Sequence, residues 1–243
     1  CGNKPYEKIR TVVVQPQKRV INMRMGRMVG SCVGEPWNAR AINDRSGVTA
    51  ATGQDIWPEH PQKVPGAGRD WVEQNPNTAR ALVAALMDAA RWIDASDDNK
   101  RETAQILSHR GWLNTKEQYL TGRMLGAYDN GIGRRWQDAH PMRFFEHGEV
   151  SYPWLSDGMW FLTQFRRWGL WKTAPDDTAI ASRTNRIDVW KEAATAPGGI
   201  ASPNNRLRTS TLMDGHCRTG ESAGQSATRV GLTSTGGSDV TRP

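Results

Sequence analysis

Cysteine is scarce in this chain. Three of its 243 residues are Cys, and Cys1, Cys32 and Cys217 share neither metal-ligand nor disulfide spacing. No disulfide framework or zinc site can be read from them, and neither can a redox compartment. Long apolar runs are missing too: none approaches the ~18 residues of a membrane helix. The start of the chain lacks the charged, apolar and small-residue succession of an export signal. The net charge is +7, yet no basic run of the kind that tracks phosphates is present. The scattered arginines read as a solvated basic surface, which argues against a nucleic-acid partner. Catalytic patterns are absent as well. There is no nucleophile–base pair, no purposeful pair of carboxylates, no metal-ligand cluster and no Gly-rich phosphate loop. His60, His109, His140, His147 and His216 sit in unlike contexts. The expectation is no enzyme, no cofactor and no metal.

What is present is globular composition on the polar side, with 37% hydrophobic and 23% charged residues and a mean hydropathy of −0.67. Cys32 lies in an apolar run and reads as a small core residue. Cys1-Gly2-Asn3 looks like the mature start of a lipoprotein. The chain carries 11 tryptophans. Trp154, Trp160, Trp168 and Trp171 recur at helix-compatible positions, where packing between helices is the default reading and stacking on bases or sugars the sharper alternative.

The early pattern is that of an α/β unit. "TVVV" (Thr11 to Val14) is a β-branched run of the kind buried in a parallel sheet. "SCV" (Ser31 to Val33) and "VTAAT" (Val48 to Thr52) read as further short strands. Between them, "KRVINMRMGRM" reads as a short helix ending near Gly26 or Gly30. "EPWNARAI" opens another, with Pro36 suited to the first helical position. From residue 70 the pattern turns helical. "NPNTARALVAALMDAARWIDAS" has Asn75 as N-cap and apolar residues Ala79, Leu82, Val83, Leu86, Ala89, Ala90 and Ile93 on the 3.6 period. "NKRETAQILSHRGWL" follows as a helix. "TKEQYLTGRMLG" starts with a capping-box pattern, Thr115 with Gln118. "YDNGIGRRW" reads as a loop. "SDGMWFLTQFRRWG" is a helix capped by Ser156 with Gly169 past its last turn. "PDDTAIASRTNRIDVWKEAAT" is the last helix. Beyond about Pro197 the chain is rich in Gly, Ser, Thr and Arg without periodicity, which predicts an extended or disordered tail.

One stretch has a physical reason to bind a small ligand. In "SCVGEPWNARAI" an apolar run stops at Gly34, and Glu35 and Pro36 lead into a helix. A helix start offers free N–H groups and the positive end of a dipole to an anion. Glycine, without a Cβ, lets a ligand approach the backbone. Glu35 has two readings. It caps the helix or forms a salt bridge, or it accepts a hydrogen bond from a protonated ligand or helps hold a cation. Lys63, in the Pro-punctuated loop "DIWPEHPQKVPG", is a compact charge able to neutralise an anion. Gly34, Lys63 and Glu35 are the candidate ligand-binding residues.

Longer strings carry a resemblance. "TVVVQPQKRVINMRMGRMVGSCVGEPWNARAI", "AATGQDIWPEHPQKV", "DWVEQNPNTARALV", "SYPWLSDGMWFLTQFRRWGL" and "RTSTLMDG" resemble the nitrate-binding proteins of nitrate/nitrite ABC importers, a family that includes bicarbonate-binding relatives. The resemblance runs almost continuously from about Lys4 to Gly215. It implies an α/β, two-lobed periplasmic binding protein fold of type II, here its helix-rich C-terminal portion, which closes around solute by hinge motion. Residues 1–60 would belong to the second lobe, 61–195 to the crossover and the helical part completing the first lobe, and 196–243 to the tail.

The resemblance also implies a site and partners. In the family pattern, the glycine at Gly34 contributes to the anion site and the lysine at Lys63 provides its positive charge. A tryptophan, a glutamine and a histidine outside this chain complete it. In bicarbonate relatives an acidic residue near the lysine helps bind calcium. Here Gln62 stands beside Lys63, and no metal is expected. The implied ligand is nitrate or nitrite, and the implied partners are the membrane permease and ATPase subunits of the importer. The implied location of the full-length parent is the periplasm, with or without a membrane anchor. A cytosolic nitrate sensor and a bicarbonate or cyanate binder are the alternatives within the fold. An enzyme of thiamine-pyrimidine synthesis type and a basic nucleic-acid binder are the alternatives outside it. Family members are longer, and the segment after Gly215 does not resemble them. The expectation is a fragment, poorly stable and weak in nitrate affinity by itself.

Overall fold

Helix is the dominant element among the described residues, with side-chain caps from Ser96 and Asp176 at two of the helix starts. The computed structural model describes residues 9–58, 60–173 and 176–195. The expected tail from 196 onward lies outside the described residues. Ten α-helices follow one another among those described: α1 (Pro16–Arg24), α2 (Trp37–Asn43), α3 (Gly53–Ile56), α4 (Arg69–Gln74), α5 (Pro76–Asp94), α6 (Asp97–Ser108), α7 (Glu117–Met124), α8 (Leu155–Arg167), α9 (Asp177–Thr184) and α10 (Ile187–Ala194). Strands β1 (Ala127–Asp129) and β2 (Arg135–Gln137) lie between α7 and α8. Contacts divide the chain into two units, one of Cys1–Thr52 with Asp88–Glu146, the other of Gly53–Met87 with His147–Pro243.

In the first unit, α1 packs against α2, α2 against α7, and α6 against α7. The Ser96 side chain accepts a hydrogen bond from the Asn99 N–H, and Asp97 and Asp98 occupy the first turn of α6. Ala104, Leu120 and Met124 form the core, with Ile93, Leu107, Leu113 and Phe144 packed on it. Asp94, the last residue of α5, accepts the N–H groups of Phe144 (2.8 Å) and Phe145 (2.7 Å) on one carboxylate oxygen. That ties a distant loop to the helix end.

"YDNGIGRRW" is not a plain loop. It forms an antiparallel hairpin with Tyr128 opposite Trp136. The Asn130 side-chain oxygen accepts the N–H groups of Ile132 and Arg134, and Gly131 sits at φ +80°. The Asn130-Gly131 pair is the turn signal. Strands of only three residues hide the usual alternation.

In the second unit, α8 packs on α9. Its core joins Met87 of α5 to Tyr152, Trp154, Trp190, Ala193 and Ala194. Tyr152 meets Trp154 (4.7 Å) and Trp190 (5.0 Å) edge to face. The indole N–H of Trp154 reaches the Glu149 carbonyl, and that of Trp190 the Ser151 hydroxyl. Arg166 and Asp177 join α8 to α9 through two N–H···O bonds of 2.6 Å. Trp160 packs on Trp57 at 4.5 Å, whereas Trp168 and Trp171 stay exposed. Inter-helical packing therefore accounts for only part of the tryptophan content.

Several local expectations are corrected. Thr11–Val14, Ser31–Val33 and Val48–Thr52 form no strands. Among the described residues they have no ladder partner, and a strand is defined by its neighbour. Cys32 is exposed, not core. Pro36 is the N-cap of α2 and not its first residue. The capping box at Thr115 does not form: Lys116 is the N-cap, and the Thr115 hydroxyl is buried without a partner. Ser156 lies inside α8, buried, and Trp154 takes the cap position. The last predicted helix is two, α9 and α10, because Asn185 leaves the helix and its side chain bonds the Trp154 carbonyl (2.7 Å). On α5, Ala79 and Met87 are buried and Val83 packs on the core, but Leu82 and Leu86 face solvent. The α1 end near Gly26 and the left-handed Gly169 after α8 are as expected.

Candidate functional site

Gly34 and Glu35 belong to the first unit and Lys63 to the second. Gly34 is exposed, just ahead of α2. The peptide between Glu35 and Pro36 is cis. The Glu35 carboxylate is engaged on both oxygens. Oε2 accepts the Ala39 N–H at 3.0 Å, and Oε1 lies 3.0 Å from Nε of Arg123. The latter is a charge contact and not an aligned hydrogen bond, since that Nε–H has no well-directed acceptor. Asn38 holds the same turn by donating to the Val33 carbonyl at 2.8 Å. Burial pushes the Glu35 carboxyl above the usual carboxylate range, with the Arg123 charge and the Ala39 N–H pulling the other way.

The helix-start argument changes accordingly. Pro36 has no N–H to offer, and the Ala39 donor is taken by Glu35 inside the chain. An anion at this turn would therefore meet fewer first-turn donors than a helix start usually offers.

Arg123 is the residue that sequence reasoning missed. Its side chain is 6% exposed. It donates to the Ala127 carbonyl (3.3 Å) and lies over the Tyr128 ring, 4.3 Å from its centroid. Tyr128 in turn stacks on Trp136. One signal was available: Leu120, Arg123 and Met124 share a helix face, and a lone charge on a core face calls for a buried counter-charge. A groove in this unit is lined by Asn43, Arg45, Tyr119, Arg123, Asp129 and Arg135 among others, and not by Gly34.

Lys63 is exposed, in the irregular loop between α3 and α4. The loop has internal order. The His60 ring lies against Gly53, where an added Cβ would come within 2.5 Å of it. His60 Nδ1 donates to the Trp57 carbonyl (3.1 Å), and Nε2 accepts from the Gln62 amide. The Trp57 indole N–H is buried without a partner. Among the described residues no three or more His, Cys, Asp or Glu side chains are grouped so as to hold a metal ion, and no helix is long and apolar enough to cross a membrane.

Residues 2–108 match the NMT1-like family. The chain is 39% identical over 196 residues to the nitrate/nitrite binding protein NrtA of Synechocystis, covering 80% of this chain and 44% of that protein. It is 34% identical over 225 residues to the bicarbonate-binding protein CmpA of Synechococcus elongatus, covering 88% and 50% respectively. The crystal structure of the periplasmic nitrate-binding protein NrtA from Synechocystis superposes with a TM-score of 0.75 at 38% identity, over 80% of this chain and 51% of that one. The chain thus spans about half the length of the relatives it matches. Its fold is a helix-rich portion of an α/β periplasmic binding protein. In sequence and fold the chain is similar to the nitrate/nitrite binding protein and the bicarbonate-binding protein over part of their length.

Proposed function

We propose that the chain is the C-terminal part of the substrate-binding component of an ABC importer for nitrate or nitrite, with Gly34 and Lys63 supplying part of the anion site. It is a binding module and not an enzyme, and its parent works in the periplasm with a membrane permease and an ATPase. The observation that carries this reading is 39% identity to a nitrate/nitrite binding protein along 80% of the chain. Site chemistry favours nitrate over bicarbonate. Nitrate has delocalised charge and no proton, so donors alone suffice. Bicarbonate also needs an acceptor, and the nearest candidate, Glu35, is committed to Ala39 and Arg123. In this reading Glu35 positions the Gly34 turn. Gln62 beside Lys63 leaves no carboxylate there for a metal.

The test is a chimera. The matching portion of the Synechocystis nitrate/nitrite binding protein is replaced by residues 4–215 of this chain, and nitrate, nitrite and bicarbonate are titrated calorimetrically. Heat with nitrate or nitrite, and none with bicarbonate, is expected. Bicarbonate binding alone would replace the reading with the carbonate-binding one. A folded chimera silent to all three anions would end it.

A further inference from the structure

Lys63 is exposed and carries its charge on a flexible four-carbon stem, so the backbone beneath it decides where the ammonium can reach. That backbone is tied to the second unit through a relay of side chains. Trp57, 9% exposed, packs on Trp160 of α8 with ring centroids 4.5 Å apart, and its N–H bonds the Gly53 carbonyl at 2.8 Å. The Trp57 carbonyl accepts from Nδ1 of His60 at 3.1 Å. Nε2 of His60 accepts from the Gln62 amide at 2.5 Å. Gln62 directly precedes Lys63, and Pro58, Pro61 and Pro65 fix φ around the turn. Both ring nitrogens are thus engaged, one on the residue just past α3 and one on the residue before the lysine.

Gly53 shows that space is kept for this ring. It opens α3 and is not among the glycines of positive φ, so its backbone does not call for glycine. The ring does. A Cβ at Gly53 would stand 2.5 Å from Cε1 of His60 and 3.0 Å from Nε2. Ordinary carbon contacts are about 3.5–4.0 Å. An alanine there would push the ring away by about 1 Å, and a hydrogen bond stretched that far is lost.

We propose that His60 is a positioning residue for Lys63: by bridging the Trp57 carbonyl and the Gln62 amide it sets where the lysine ammonium stands, and Gly53 leaves the space that the bridge requires. His60 acts through the turn and not by touching the anion. This role rests on Lys63 being the positive charge of the anion site.

Two measurements test it. In the 243-residue chain at about pH 8, where free imidazole is neutral, the nitrogen chemical shifts of His60 should place its proton on Nδ1, and Gly53→Ala should abolish that signature. In the nitrate-binding chimera, Gly53→Ala, His60→Ala and Gln62→Ala should each weaken nitrate binding at least about tenfold with the nitrate-free melting transition unchanged. Gln62 is exposed and alanine is the better helix former at position 53, so these two variants keep the fold. Gly53→Ala added to His60→Ala should weaken binding no further, because no ring is left to displace. A His60 proton on Nε2 in the chain would overturn the proposal. So would a loss of affinity that tracks a lowered melting transition. Nitrate binding that ignores both Gly53→Ala and Gln62→Ala would overturn it and leave the nitrate reading standing. A chimera silent to nitrate would end that reading, and this role with it.

Discussion

Arg123 and Glu35 meet across the first unit, Nε to Oε1 at 3.0 Å, with side chains 6% and 20% exposed. The contact pins helix α7 to the turn that presents Gly34. Removing one partner of a buried pair leaves the other charge uncompensated, at a cost of about 3–5 kcal/mol. Arg123→Met should therefore lower the unfolding free energy, read from urea titration, by that amount. Arg123→Met with Glu35→Gln should recover part of the loss, because neither charge is then stranded. Equal loss in the single and the double variant would show that Arg123 acts through packing on Tyr128 instead.

The same pair predicts a pH dependence. Burial raises the Glu35 carboxyl in the folded state. Between the unfolded and the folded value the native protein holds more proton than the unfolded chain, so stability falls as pH rises. The contribution is complete below the usual carboxylate range and is lost as pH climbs through the raised value. Asp129 and Asp188 are shifted downward by their hydrogen bonds, so they act in the opposite sense at lower pH. The difference between the wild-type chain and Glu35→Gln isolates Glu35. That difference should decline from mildly acidic to neutral pH in a series of urea titrations. A difference that rises over that range would mean the Arg123 charge outweighs desolvation.

Arg166 and Asp177 form the corresponding contact of the second unit, two bonds of 2.6 Å with Asp177 7% exposed. Arg166→Ala should cost about 3–5 kcal/mol, read as lost cooperativity between α8 and α9 in hydrogen exchange. Protection of α9 unchanged by the substitution would place the stabilisation elsewhere.

Trp190 is 3% exposed and lies edge-on to Tyr152. Trp190→Ala should cost about 3–5 kcal/mol by cavity formation. The near-ultraviolet dichroism of the Tyr152–Trp154–Trp190 cluster should go with it. A loss below about 1 kcal/mol would mean that the cluster relaxes into the gap.

The helices were legible in sequence because their signals are local. Gly26 near the end of α1 and Gly169 after α8 each act within one turn, whereas α1 and α6 start two residues earlier, at Pro16 and Asp97, than the sequence reading placed them. Caps were less legible. Thr115 and Ser156 have the right chemistry, but their neighbours Lys116 and Trp154 take the cap positions, and tertiary burial decides that. The Val-rich runs were read as strands from residue type, while strand formation depends on a partner that sequence spacing does not reveal. For the proposed site, Gly34, Glu35 and Lys63 come from motif and resemblance alone. Arg123 was not reachable that way, because its role depends on α7 packing against α2, a contact between segments some 80 residues apart. The interleaving of Asp88–Glu146 with the first 52 residues is likewise a property of contacts and not of composition.

The central claim is that Lys63 supplies the charge for an inorganic anion. The most direct measurement is calorimetric titration of the chimera with nitrate, before and after Lys63→Ala. The account predicts that the substitution weakens nitrate binding at least about tenfold while leaving the melting transition in place, since Lys63 is exposed. Unchanged nitrate affinity in Lys63→Ala would contradict it.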